Sequence, residues 1–145
     1  MKGMSIIVKK VSQLVTPLIF MYGLYIILHG HLTPGGGFAG GTLLSGSFIL
    51  LVLAYGSGLL KLKQQEAGSS VTESLAILVF LLLATLALFL GTCVFFNNYL
   101  PAGKIGELIS AGVIPLYNMV VGIEVGAALF TIFLALAIYK EELPS

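Results

Sequence analysis

Apolar residues run through this chain in four long stretches, separated by short polar or glycine-rich breaks. The first runs from Val11 to Leu28, the second from Phe38 to Leu60, the third from Glu73 to Phe96 and the fourth from Val113 to Tyr139. Each reaches the roughly 18 residues that a helix needs to cross a bilayer. The pattern predicts an all-α polytopic membrane protein with one membrane domain over 1–145 and spans near 11–31, 38–60, 73–96 and 113–139. Lys2, Lys9 and Lys10 precede the first stretch, as in a secretory signal. The length of the stretch, with no small-x-small cleavage pattern after it, makes it a span instead. Pro17 falls in its first half, where it kinks the helix or marks its regular start.

The breaks carry most of the information. His31-Leu32-Thr33-Pro34-Gly35-Gly36-Gly37-Phe38-Ala39-Gly40-Gly41 holds five glycines in eleven residues. Pro34 cannot continue a helix, and the glycines open backbone angles that a Cβ disfavours, so the chain turns sharply and re-enters the same medium. Gly36 with Gly40, Gly37 with Gly41 and Gly122 with Gly126 each fit the small-xxx-small pattern. That pattern predicts close packing on a neighbouring helix or subunit. Lys61 to Thr72 reads as a polar loop, and Ser70-Val71-Thr72-Glu73 as a capping box that starts the third span. Capping or solvation then accounts for Glu66, Glu73 and Glu107. Asn97 to Gly112 is the longest loop; Lys104 to Ile109 within it suits an amphipathic turn at the interface, and Tyr99 and Tyr117 suit the aromatic belt.

Composition agrees with the pattern. Hydrophobic residues make up 58%, charged residues 9%, and mean hydropathy is +1.08; a soluble domain carries about a quarter charged residues. With four spans both ends share one side, together with six of the seven lysines, leaving only Lys104 opposite. The positive-inside rule makes that side cytoplasmic and turns the Pro-Gly corner outward. A net charge of +1 gives no reason to expect nucleic acid. Asp is absent, so no Ser-His-Asp arrangement exists, and Cys93 alone reads as a small buried hydrophobe.

The candidate chemistry is sparse. Glu124 lies near the middle of the fourth span, where a carboxylate costs about 2.5–3.5 kcal/mol and normally faces protein or a wet cavity. Two readings stand: proton or cation handling, or a protonated Glu bonded to a carbonyl on a neighbouring helix. Asn118 lies six residues earlier, roughly on the same side. His29 and His31 flank Gly30; as a metal pair they point to different faces, whereas collecting protons at the outer surface suits their titration near neutral pH. Gly35-x-Gly37-x-x-Gly40 satisfies the dinucleotide fingerprint as a string, but no βαβ unit surrounds it. A lipid phosphate at that helix start is a minor reading. No catalytic residue, cofactor or metal site is expected.

Gly30 to Gly41 contains, without a break, Gly-x-x-x-Pro-Gly-Gly-Gly-Phe-x-Gly-Gly, and with His29 it resembles the hallmark of the B-type subunits of Mrp-type multisubunit Na+/H+ antiporters. The resemblance carries Pro34, Gly35, Gly36, Gly37, Phe38, Gly40 and Gly41 as signature positions. It implies a small, non-catalytic subunit in a prokaryotic plasma membrane, beside large antiporter subunits related to those of respiratory complex I, with Na+ and H+ as the transported ions. The same module is found in archaeal membrane-bound hydrogenases and sulfane sulfur reductases. Where the family often has Asp after a Pro in the last helix, Pro115-Leu116-Tyr117-Asn118 puts Asn118, and Glu124 supplies the carboxylate two turns deeper. A homodimeric proton-coupled exporter is the remaining alternative. Such exporters usually carry their acid in the first helix and line their chamber with Trp, and this chain has neither feature.

Overall fold

The computed structural model describes residues 4–56, 62–92, 94–104, 106–107 and 110–142. Among them are four α-helices and no strand: α1 (Ile6–Leu28), α2 (Gly36–Tyr55), α3 (Leu62–Ala87, continuing into a π-helical turn at Leu88–Thr92) and α4 (Ile114–Glu142). All four are long and apolar enough to cross a membrane.

Local chemistry sets most of the ends. The Ser5 hydroxyl accepts from the Val8 N–H at 3.5 Å and starts α1, so Lys9 and Lys10 are helical. Pro17 is therefore an interior residue of α1, not its start. Gly35 (φ +128°) and Gly36 (φ +63°) open α2 with angles that disfavour a side chain, and Gly56 (φ +80°) closes it. Residues 57–60, expected at the end of the second span, and Cys93 lie outside the described residues.

α3 departs most from expectation. It begins at Leu62, so the polar stretch from Gln64 to Thr72 is helix rather than loop, and Ser70 caps nothing. The Thr72 hydroxyl donates to the Gly68 carbonyl at 2.9 Å and the Ser74 hydroxyl to that of Ser70 at 3.0 Å, both back along their own helix. The Ser69 hydroxyl donates across to the Ala127 carbonyl of α4 at 2.9 Å. Packing on α4 overrides the weak helix propensity of Gly68-Ser69-Ser70. Beyond the π turn the chain doubles back: the Phe96 N–H reaches the Ala84 carbonyl at 3.2 Å, and the Phe96 ring stacks on Tyr117 at 4.7 Å. The Asn98 side-chain oxygen then accepts from the Val113 N–H at 3.2 Å and fixes the entry to α4. Of the expected amphipathic turn, the structure shows the Glu107 N–H on the Lys104 carbonyl at 3.2 Å; Ile105, Leu108 and Ile109 lie outside the described residues.

α1 packs on α2, α2 on α4 and α4 on α3, while α2 and α3 hardly touch. Small and hydroxylic residues lie inside, among them Ser12, Thr16, Gly23, Gly40, Gly41, Ser45 and Ser47. Leu14, Leu18, Met21, Leu78 and Phe89 lie outside. That arrangement suits a lipid solvent, where association comes from close approach rather than from burying large apolar groups. A methyl group on Gly41 would stand 2.7 Å from the Gly122 carbonyl oxygen of α4, and one on Gly40 2.8 Å from the Gly23 carbonyl oxygen of α1. Ile27, 4% exposed, fills the space between, and its side chain comes within 2.5 Å of where a Gly122 Cβ would sit. The small-residue faces thus serve helices of the same chain.

Gly41→Ala is expected to destabilise the bundle by on the order of 1–3 kcal/mol, because the clash is with backbone. At Gly46, where a Cβ would meet nothing within 4 Å, the same substitution is neutral or stabilising. Unfolding of the two variants in mixed micelles compares them directly.

Candidate functional site

Two places hold the residues singled out by sequence: the Pro-Gly corner and the α3–α4 interface. At the corner, His29 terminates α1. Its carbonyl accepts from the Leu32 N–H (2.8 Å), the Thr33 N–H (2.9 Å) and the Thr33 hydroxyl (3.1 Å), winding the chain into a compact turn before Pro34. The His29 ring stacks on Tyr25 with centroids 4.2 Å apart, and its Nδ1 lies 3.0 Å from the Tyr25 carbonyl oxygen, which assigns the proton to Nδ1. Both ring nitrogens of His31 are enclosed without a hydrogen-bond partner. Among the described residues no group of three or more His, Cys, Asp or Glu is placed to hold a metal.

Asn118 belongs to this corner. A Cβ on Gly30 would lie 2.6 Å from the Gly36 Cα and 3.0 Å from the Asn118 amide nitrogen; one on Gly36 would lie 3.4 Å from the Asn118 side-chain oxygen, and one on Gly37 would collide with the Asn118 backbone carbonyl. The signature glycines Gly30, Gly36 and Gly37 therefore form the seat of Asn118. Pro34 and Phe38 stay exposed.

Glu124 lies elsewhere. Six residues at 100° each turn it well away from Asn118 and onto the stripe of α4 that includes Tyr117 and Ala127. That stripe faces α3: Ser69 bonds Ala127, and the Phe80 ring meets Tyr117 at 5.2 Å. On α3 the facing stripe is Ser69, Glu73, Ala76 and Phe80, with Ala76 buried. The helices are antiparallel, so Glu73, four residues past Ser69, and Glu124, three residues before Ala127, come to nearly the same height on opposed stripes. Both are half-buried. Neither α3 from Gln64 to Thr92 nor α4 from Ile114 to Tyr139 contains a basic residue. Glu73, which as a string of residues looks like part of a cap, thus falls on the stripe of α3 that holds Ser69 and Phe80. The spacing Ser69, Glu73, Ala76, Phe80 is the signal in the sequence that places it on a buried stripe.

The comparisons with known proteins cover this whole arrangement. Residues 7–131 match the model of the domain related to the MnhB subunit of Na+/H+ antiporter. The chain belongs to this family. The match runs from α1 through the corner, Glu73 and Glu124 into the second half of α4. The chain is 38% identical over 132 residues to the uncharacterized protein MJ1307 of Methanocaldococcus jannaschii, covering 86% of this chain and 49% of that one. Over 55 residues it is 40% identical to a putative antiporter subunit mnhB2 of Staphylococcus epidermidis, covering 38% of this chain and 39% of that one. Among solved structures it resembles a chain of the membrane-bound sulfane sulfur reductase, an archaeal respiratory membrane complex, with a TM-score of 0.74 at 32% identity, over 92% of this chain and 58% of that one. The chain thus spans about half the length of the archaeal relative. Membership of this family and four apolar helices make it a membrane protein.

Asn98→Ala removes the acceptor for the Val113 N–H and is expected to cost about 1 kcal/mol. Hydrogen exchange should show it as faster exchange at Leu100 and at Val113, the two amides whose acceptor is lost.

Proposed function

We propose that this chain is a non-catalytic membrane subunit of a multisubunit Na+/H+ antiporter module, assembled with other membrane subunits in a prokaryotic plasma membrane. The observation that carries the proposal is the unbroken Gly30–Gly41 signature, seated on Asn118 within the stretch that matches the MnhB-related family. The likeness to the sulfane sulfur reductase chain over 92% of the sequence favours a second setting for the same module, in the membrane arm of an ion-pumping respiratory complex.

Within that module the packed glycine faces make α1, α2 and α4 a rigid scaffold, and α3 with α4 the part that borders the ion path. Two carboxylates on facing helix stripes, with no basic residue from Gln64 to Thr92 on α3 or from Ile114 to Tyr139 on α4, accommodate a proton or a monovalent cation that balances their charge. Glu124 and Glu73 are the residues for that role. Asn118 and the signature glycines position α2 against α4. His29 and His31 stand at the same corner; proton collection suits the His29 imidazole, whereas both ring nitrogens of His31 are enclosed.

The test is Glu124→Gln and Glu73→Gln, singly and together, in the assembled complex. Copurification of the remaining subunits should be unchanged, because amide and carboxyl have nearly the same shape. Na+-driven proton movement in inverted vesicles should fall by about tenfold or more in the double variant. Full antiport in that variant would leave the two carboxylates a packing role.

A further inference from the structure

The poor contact between α2 and α3 leaves a cleft of about 880 Å³, floored by α4 and walled by α2 and α3. It runs along α2 from Leu44 to Tyr55. At 1.5 Å per residue that is about 16 Å, close to half of the ~30 Å hydrocarbon core. It stops at Leu44 and Gly122, where Gly41 brings α2 directly onto α4. One end is polar: Tyr55, Gln64 and Gln65 line the mouth, and the Lys9 ammonium sits 5.8 Å from the Tyr55 ring centroid. The rest is mostly apolar, with Phe48, Ile123 and Phe130 in the walls and floor and only the hydroxyls of Ser45, Ser69 and Thr72 among them. Among the described residues no acidic side chain lines it.

We infer that this cleft is a binding site for one anionic phospholipid, with an acyl chain lying between α2 and α3 and the phosphate at the mouth beside Lys9 and the two glutamines. Depth and polarity select the occupant. A transmembrane helix of a partner needs a groove across the full hydrocarbon thickness, and this one ends at mid-depth. An amphiphile of one leaflet needs an apolar slot of half that depth with donors and positive charge at one end. Lys9 supplies the charge, and the Gln64 and Gln65 amides supply donors to phosphate oxygens.

Gly68 gives a clean way to close the slot. It lines the cleft within α3, and a Cβ there would meet nothing within 4 Å. Gly68→Leu therefore fills the cleft without a backbone clash, and Gly46→Leu, exposed on α2 outside the cleft, is the matched control. The probes are phosphatidylglycerol and phosphatidylcholine, each with a diazirine on the acyl chain, photolysed in membranes that contain the full chain in its complex. Phosphatidylglycerol should label the peptide that carries Ile123 and Phe130. Gly68→Leu should lose that labelling and Gly46→Leu retain it. Lys9→Gln should lose the preference for phosphatidylglycerol over phosphatidylcholine. Equal labelling of that peptide in Gly68→Leu and the control, or photocrosslinks from it to a partner protein in place of lipid, would overturn the assignment.

Discussion

Backbone-to-backbone approach between α2 and its two neighbours is the constraint on which this structure depends. In a bilayer, large apolar side chains gain little by leaving lipid for protein, so helices associate where their surfaces fit closely. Here the fit is made of absent side chains. Gly37 and Gly41 lie against the α4 backbone, Gly40 lies against Gly23 of α1, and Ile27 occupies the hollow left by Gly40 and Gly122. The Pro-Gly corner is the consequence at one end: a turn wound on the His29 carbonyl, with no side chain where Asn118 must fit. The signature that looks like a loop motif in the sequence is the upper end of a three-helix contact.

The same constraint places the functional features. Because α2 is committed to α1 and α4, α3 packs, among the described residues, mainly on α4. That leaves two features beside α4, which meet at Ser69 and Ala127. One is the cleft between α2 and α3. The other is the α3–α4 seam, which runs from the Ser69–Ala127 hydrogen bond to the Phe80, Phe96 and Tyr117 rings, with Glu73 and Glu124 between those ends on their two helices. α4 thus carries the glycine contacts with α2 on one face and Glu124 on another.

Much of this is legible in the residues. Apolar length yields four spans, and the glycine spacing yields close packing, because both follow from short-range chemistry. What packs on those glycines is not legible: small-xxx-small states that a backbone comes near, not whose it is, and here the partners are α1 and α4 of the same chain. Glu73 is hidden by Gly68-Ser69-Ser70, whose weak propensity reads as a loop until α4 is present to hold it in a helix. Asn118 stands in the place of a family acid, and that Gly30, Gly36 and Gly37 surround it is not legible in the residues. Its distance from Glu124 is set by helical phase, which six residues of spacing already encode.

The internal lock is tested most directly by a double-mutant cycle on Ile27 and Gly122, read as unfolding free energy in mixed micelles. Gly122→Ala alone should destabilise, because the atoms nearest the new methyl belong to the Ile27 side chain, the closest at 2.5 Å. Ile27→Ala alone should destabilise by leaving a hollow. The account predicts that the two together cost less than their sum, by roughly 0.5–3 kcal/mol, since each relieves the other. Additive effects would contradict it and place the support of the signature helix outside this chain.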